Sequence, residues 1–333
     1  MKKEIFEQPE VAQRLFWLNF DCLPQVEKIV FVASGSSYNC ADIVSTLLDK
    51  IGGIDSESFY SGEFQMPDDY EKTLFVFVSQ SGKTADTLAA LKFAAKYTDN
   101  ILAVSNNATS EFAVYSKFFV PTEAGEEKSV AATKTVCAQL TVLLRLAAYY
   151  SKNPDLTEFF AKAELPKFLT EILAHSDLIK PAAEKFADGK PVQILATKEF
   201  LPVASEAALK ISETSYIFAS AVPAGEFLHG HCAVLNNPGR VLAFVDEKNR
   251  RFVFHTLERI KQNFSTEIIV FTRKSFEKEV LPFCNEVVTF PDCDEISQIY
   301  GFLLLSQLTA LFCAEKSGKN VDKPAGITKT VNN

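Results

Sequence analysis

Positive charge is in short supply in this 333-residue chain: 34 Lys and Arg stand against 42 Asp and Glu, a net charge of −8. A nucleic-acid partner is therefore not expected, because phosphate backbones attract basic faces. The deficit does not exclude one anionic ligand, since a small site can be locally positive. Cysteine is scattered. The seven residues at 22, 40, 137, 232, 284, 293 and 313 are odd in number and include no C-x-x-C. Neither a zinc ribbon nor a disulfide framework is supported, and the expected compartment is reducing, hence cytoplasmic. No cofactor is expected. Long apolar runs are lacking too. The most apolar stretch, Gly301 to Ala314, is interrupted by Ser306, Gln307 and Thr309. It is too short to span a bilayer and predicts a buried helix, so no membrane partner is expected. The opening residues Met-Lys-Lys-Glu-Ile-Phe-Glu have no apolar run and no small-residue cleavage site, so no signal peptide is expected.

What is present is a packed globular composition, 47% apolar and 23% charged, with 29 Phe to fill a core. Two domains fit this length. The chain repeats itself. Short apolar runs occur at Lys28–Ala33, Leu74–Val78, Ile101–Val104 and Phe118–Pro121, and again at Val192–Ala196, Val241–Val245, Glu267–Phe271 and Val287–Phe290. Successive starts are 46, 27 and 17 residues apart in the first set and 49, 26 and 20 in the second. Near-continuous apolar runs alternating with helix-period segments predict parallel strands covered on both faces. The expected fold is α/β: two tandem doubly wound lobes, each a parallel sheet flanked by helices, at 26–150 and 191–318. A leading helix at 1–25, connecting helices at 151–190 and an extended tail at 319–333 complete the plan. A tail of this kind is disordered unless tied down.

Two loops stand where such folds bind ligands, beyond the carboxyl ends of strands. Ser34-Gly35-Ser36-Ser37-Tyr38-Asn39 follows the first strand, and Ser79-Gln80-Ser81-Gly82-Lys83-Thr84 follows the second. Each opens a helix, predicted over Ala41 to Leu48 and Ala85 to Ala95. Helix N-termini offer N–H groups and a positive dipole end. Hydroxyls of Ser37, Ser79, Ser81 and Thr84 add neutral donors, so a phosphate could be held without Arg or Lys. The competing reading is simple helix capping by Ser and Thr. The matching loops of the second lobe, Thr197-Lys198-Glu199-Phe200 and Asp246-Glu247-Lys248-Asn249, lack the Ser/Gly character, which places the phosphate site in the first lobe only. Neither loop is a Walker A or G-x-G-x-x-G fingerprint, so nucleotide binding is disfavoured.

Glu206, Lys210 and Glu213 are spaced 4 and 3 apart on a predicted helix and share one face. A solvated charge ladder is one reading; the apolar Ala207, Ala208, Leu209 and Ile211 among them oppose it. His229 and His231 form a Gly-flanked pair in a chain with four His. Metal ligation is disfavoured, because no third ligand has suitable spacing. Lys329, near the end of the tail, reads by itself as a solvated lysine.

Taken in order, these segments resemble the isomerase domain of glucosamine-6-phosphate synthase, within the sugar isomerase (SIS) superfamily. The resemblance runs from Lys3-Glu4-Ile5-Phe6-Glu7-Gln8-Pro9 through the two serine loops, Val130-Ala131-Ala132-Thr133-Lys134, Glu206-Ala207-Ala208-Leu209-Lys210, Glu213-Thr214-Ser215-Tyr216-Ile217 and Ala224-Gly225-Glu226-Phe227-Leu228-His229-Gly230, to Asn320-Val321-Asp322 and Lys329. It implies that Ser36, Ser37, Ser79, Gln80, Ser81 and Thr84 contact phosphate and sugar, and that Val130 makes a main-chain contact to the sugar. It implies Glu213 as the C1/C2 proton base and His229 as the ring opener, donated by the partner subunit of a homodimer. Lys329 would be the tail amine at the sugar carbonyl, on a lid, with Lys210 in support. His, a carboxylate and an amine suit those three tasks. The chain departs from the family pattern at Lys83 for Glu, Ala132 for Ser, His231 for Pro and Ala325 for Arg, which leaves substrate detail open.

No glutaminase segment precedes the resemblance. The expected reaction is therefore conversion of glucosamine 6-phosphate to fructose 6-phosphate and ammonia. A fructosamine 6-phosphate deglycase, an isomerase subunit fed by ammonia or by a glutaminase partner, and sugar isomerisation without nitrogen chemistry are the alternatives among enzymes. A non-catalytic sugar-phosphate sensor is the alternative of another class; it would have no reason to keep Glu213, His229 and Lys329 together.

Overall fold

The computed structural model describes residues 1–329. The chain divides into two compact units. An N-terminal unit comprises Glu7–Lys128, Ala132–Pro166 and the chain from Thr328; a C-terminal unit comprises Met1–Phe6, Ser129–Ala131 and Lys167–Ile327.

The N-terminal unit is a sheet of β1 (Lys28–Ala33), β2 (Asp55–Tyr60), β3 (Thr73–Ser79), β4 (Ile101–Ser105) and β5 (Phe118–Pro121), all parallel, in the order β2-β1-β3-β4-β5. The C-terminal unit repeats it with β6 (Val192–Ala196), β7 (Ala219–Pro223), β8 (Arg240–Phe244), β9 (Glu267–Arg273) and β10 (Glu286–Phe290), in the order β7-β6-β8-β9-β10. Relabelled by position, the two orders are the same, so the duplication read from the strand spacing extends to the wiring. The eight apolar runs fall on eight of these strands. β3, β4, β6 and β8 are buried at every position, as strands covered on both faces must be.

The remaining two strands, β2 and β7, were not expected. Each is an edge strand pairing on one side only and has no continuous apolar run. β2 is Asp-Ser-Glu-Ser-Phe-Tyr, exposed at every second or third residue. The leading segment also differs from expectation. Two short helices, Lys2–Phe6 and Gln8–Leu15, stand there, the second opened by Pro9 in its first turn, and no helix spans the region to residue 25. The boundary between units, at Pro166 and Lys167, falls inside the segment expected to connect the lobes.

Long helices close the cores. In the N-terminal unit, Lys134–Ser151 packs on Ser36–Ile51 and on Gln8–Leu15. In the C-terminal unit, Glu295–Lys316 packs on Leu201–Ser215. Asp294 caps the former: its Oδ1 accepts from the Ile296 and Ser297 amides, both at 2.9 Å. This helix contains the apolar stretch at 301–314. It is long and apolar enough to cross a membrane, and all of its most apolar window is buried inside the protein.

Candidate active site

Strand order fixes where the N-terminal unit can bind. β1 lies between β2 and β3, so the connections leaving β1 and β3 head to opposite sides and a crevice opens between their carboxyl ends. The loop after β1 turns at Gly35, whose φ of 58° suits glycine, and Ser36 and Ser37 form the first turn of the helix Ser36–Ile51. The loop after β3 turns at Gly82, φ 62°; a Cβ there would stand 2.3 Å from Ser110 Oγ. Gly82 is thus required by conformation and by space.

The hydroxyls answer the capping reading. No side chain caps the helix Ser36–Ile51 or the helix Ala85–Ala94. Ser79 Oγ instead accepts from the Gly82 amide at 3.1 Å and lies 3.1 Å from Thr84 Oγ1. Ser81 Oγ accepts from the Lys83 amide at 3.1 Å. The Gln80 carbonyl accepts from the Asn106 amide at 3.1 Å and from Ser105 Oγ at 3.4 Å, which ties the loop to the end of β4. The loop is therefore held by its own serines and by its neighbour strand. The side chains of Ser36, Ser37 and Gln80 have no partner among the described residues. Two helix N-termini with uncapped amides and three uncommitted polar side chains are suited to an anion.

The C-terminal unit makes the opposite use of the same position. Asp246, which follows β8, is buried, and its Oδ2 accepts from the Lys248 amide at 3.2 Å. Asn249 Nδ2 donates to Glu199 at 3.1 Å and to Thr197 at 3.3 Å. Burial, with the nearby Glu199 charge, pushes the Asp246 carboxyl up despite the Lys248 amide. A crevice carrying two carboxylates disfavours phosphate.

Lys329 and a residue missed in the sequence meet in the N-terminal unit. Glu127 is buried ahead of the helix Lys134–Ser151. Its Oε1 accepts from the Thr133 amide at 2.9 Å and the Thr135 amide at 3.2 Å, and its Oε2 from Thr135 Oγ1 at 2.6 Å. Lys329 Nζ donates to the Glu127 carbonyl and stands 3.4 Å from Glu127 Oε2. The tail lysine is therefore docked, contrary to its reading in isolation. The last four residues of the expected tail, 330–333, lie outside the described residues.

Glu213, Lys210 and Val130 belong to the C-terminal unit. Glu213 is in the last turn of the helix Leu201–Ser215, which ends at Tyr216 in the left-handed conformation, φ 59°. Lys210 is fully buried and bridges two carboxylates: Glu213 Oε2 at 2.5 Å and Glu206 Oε1 at 3.5 Å. Glu206 is fully buried, whereas Glu213 keeps 23% of its side chain exposed. The 4-and-3 spacing is thus an internal ion triad with one open end, not a solvated ladder. The chain before Lys329 is tied into the same unit. Tyr216 Oη accepts from the Ala325 amide at 2.6 Å, the Val130 amide donates to the Asp322 carbonyl at 3.1 Å, and Ser129 Oγ donates to the Val321 carbonyl at 3.1 Å. His229 ends the one-turn 3-10 helix Phe227–His229; Phe227 is buried as its anchor, and the imidazole is exposed.

Part of the N-terminal unit matches a known family. The SIS domain family matches residues 23–149, which include both serine loops. Residues 23–149 form a SIS domain. The chain is similar to the glutamine–fructose-6-phosphate aminotransferase [isomerizing] of Thermococcus kodakarensis, 31% identical over 99% of this chain and 57% of that protein. It is likewise similar to the protein of that name from Aquifex aeolicus, 30% identical over 99% of this chain and 57% of the relative. The chain therefore spans a little over half the length of these relatives. Among solved structures, the C-terminal domain of glucosamine-fructose-6-phosphate aminotransferase from Francisella tularensis superimposes with a TM-score of 0.88, at 26% identity and 97% coverage of both chains. A glucosamine-6-phosphate deaminase from Thermotoga maritima shares the fold, with a TM-score of 0.78 at 22% identity over 99% of this chain and 98% of that one.

Of the candidate site residues, Ser36, Ser37, Ser79, Gln80, Ser81, Thr84 and Lys329 sit in the N-terminal unit, and Val130, Lys210, Glu213 and His229 in the C-terminal unit. Glu127 escaped the sequence reading because Glu126-Glu127-Lys128 looks like surface charge. The signal that could have found it is an acid shortly before the N-terminus of an apolar helix, where amides need acceptors.

Proposed function

We propose that this chain is a sugar-phosphate isomerase that deaminates an amino-sugar 6-phosphate, with glucosamine 6-phosphate as substrate and fructose 6-phosphate and ammonia as products. The serine loops take the phosphate. His229 passes the proton from the anomeric hydroxyl to the ring oxygen, and the ring opens. Glu213 removes the proton from C2 and returns it to C1, which leaves an imine at C2. Water adds to that imine and ammonia departs. Lys210 holds the Glu213 carboxylate in place through its ion pair, and Lys329, released from Glu127, approaches the C2 carbonyl. With its amide committed to Asp322, Val130 has its carbonyl for a sugar hydroxyl. The enzyme works in the cytoplasm as a homodimer, with His229 serving the partner's site.

The single observation that carries this reading is the open-ended triad. A carboxylate backed by a buried lysine and a buried second carboxylate, yet open at its own tip, is arranged to exchange a proton with a ligand. A binding module needs only the serine loops and gains nothing from a buried cation. The names of the relatives support sugar 6-phosphate chemistry at C1 and C2. The test is release of ammonia against a panel of 6-phosphorylated amino sugars and fructosamines. Ammonia and fructose 6-phosphate from glucosamine 6-phosphate are expected; sugar binding with no turnover of any member would leave a sensor.

A further inference from the structure

The helix Leu201–Ser215, which carries Glu213, stops at Tyr216 in the left-handed conformation, φ 59° and ψ 31°. The Tyr216 amide closes the last turn on the Ser212 carbonyl at 3.1 Å, and Ser212 Oγ donates to the Ile217 carbonyl at 3.1 Å. Glycine or asparagine is favoured at such a stop, because a Cβ crowds the backbone there. A tyrosine is held here against its local preference, and an outlier of this kind points to a task for its side chain. Among the described residues, five non-glycine residues have positive φ: Cys22, Glu123, Lys152, Ala163 and Tyr216. Lys152 and Ala163 close helices in the same conformation with no side-chain hydrogen bond to described residues, so the stop itself needs none. Tyr216 differs from the other four in that its side chain makes one.

That bond goes to the tail. Tyr216 Oη accepts from the Ala325 amide at 2.6 Å, and Lys319 Nζ stands over the ring, 5.2 Å from its centroid. The residue is 46% exposed, so burial of the ring is not what keeps a tyrosine there. Between the two contacts the tail is folded on itself: Asn320 Oδ1 accepts from the Asp322 and Lys323 amides, both at 3.1 Å. We propose that Tyr216 is a positioning residue, whose phenol pins the tail at Ala325 to the end of the Glu213 helix and so sets the length of chain on which Lys329 moves. The proposal rests on the role given to Lys329 above. With the pin in place the leash from Ala325 to Lys329 is four residues; without it the leash runs back to Asp322, held by the Val130 amide, and is seven. The effective concentration at the end of a flexible leash falls as about the −3/2 power of its length, here a loss of about 2-fold before any loss of aim.

Two variants of the intact protein test this. Tyr216→Phe keeps the ring, the left-handed stop and the Lys319 contact, and removes only the oxygen. Tyr216→Gly removes the ring as well and gives the stop the residue it prefers. The readings are hydrogen exchange of the tail peptide 320–327, and kcat and KM for glucosamine 6-phosphate. Both variants are expected to exchange one amide of that peptide about 2–10-fold faster, the range of a single hydrogen bond. Both are expected to lose about 2-fold or more in kcat, with KM close to the wild type because the serine loops still hold the phosphate. A capping role alone predicts wild-type readings for the glycine variant, and a packing role alone predicts them for the phenylalanine variant. Unchanged exchange in Tyr216→Phe overturns the tether, and faster exchange with an unchanged kcat overturns the positioning role. If the glycine variant does not fold, the phenylalanine variant decides alone. No turnover by the wild type defeats the function proposed above, and exchange then still decides whether Tyr216 holds the tail.

Discussion

Asp42 and Asp246 show what burial does to single groups here. Burial pushes both carboxyls up, against the Ser58 hydroxyl that bonds Asp42 and the Lys248 amide that bonds Asp246. Each therefore holds its proton more tightly folded than unfolded. The cost is absent below the ordinary value of 3.8, grows as pH rises through the raised values, and is complete above them. Replacing both by Asn, which keeps an acceptor oxygen, should raise the melting temperature at neutral pH and leave it unchanged below 3.8. Melts across that range check this, and a gain of equal size at both ends would refute it. At this scale the sequence was legible for residues whose partners are local. The spacing of Glu206, Lys210 and Glu213 told that they share a face. That the face is internal depends on the helix Glu295–Lys316, which no local pattern reveals.

Elements were legible where burial leaves a continuous trace. All eight apolar runs became strands because sheets covered on both faces accept little else. β2 and β7 escaped because neither carries a continuous apolar run: three of the six β2 residues are exposed, and β7 is the short Ala-Ser-Ala-Val-Pro. The helix opened by Ser36 and Ser37 begins five residues before its expected start at Ala41, since polar residues in a first turn look like loop. Glu127 is the element-scale device with the largest expected effect. It accepts from three donors at the head of Lys134–Ser151 and holds Lys329. Glu127→Ala should cost about 2–5 kcal/mol in urea unfolding, because buried donors lose their acceptor. Glu127→Gln, which keeps one oxygen, should cost less. A loss below about 0.5 kcal/mol for Glu127→Ala would mean that water or another group replaces it.

At the scale of the whole molecule, duplication is the organising fact. The two units share one strand order and differ in what their crevices carry, serines and glycine in one and carboxylates in the other. That divergence was readable from the loops, because a phosphate cradle is a local feature of strand end and helix start. Roles for His229 and Lys329 were not readable from their own surroundings, and only the resemblance to a family assigned them. The proposed donation of His229 between subunits has a direct consequence. Glu213→Gln and His229→Ala variants, each inactive, should regain activity when mixed and allowed to exchange subunits, since hybrids contain one site with both groups intact. No recovery in a verified hybrid would place His229 in its own subunit's site or in none.

The central claim is that Glu213 moves the proton between C1 and C2. Its most direct test is Glu213→Gln, assayed for turnover of glucosamine 6-phosphate and for binding of fructose 6-phosphate in the same preparation. Turnover should fall by about 10²-fold or more, the usual contribution of a positioned base, with binding close to the wild type. Turnover within a few-fold of the wild type would contradict the account.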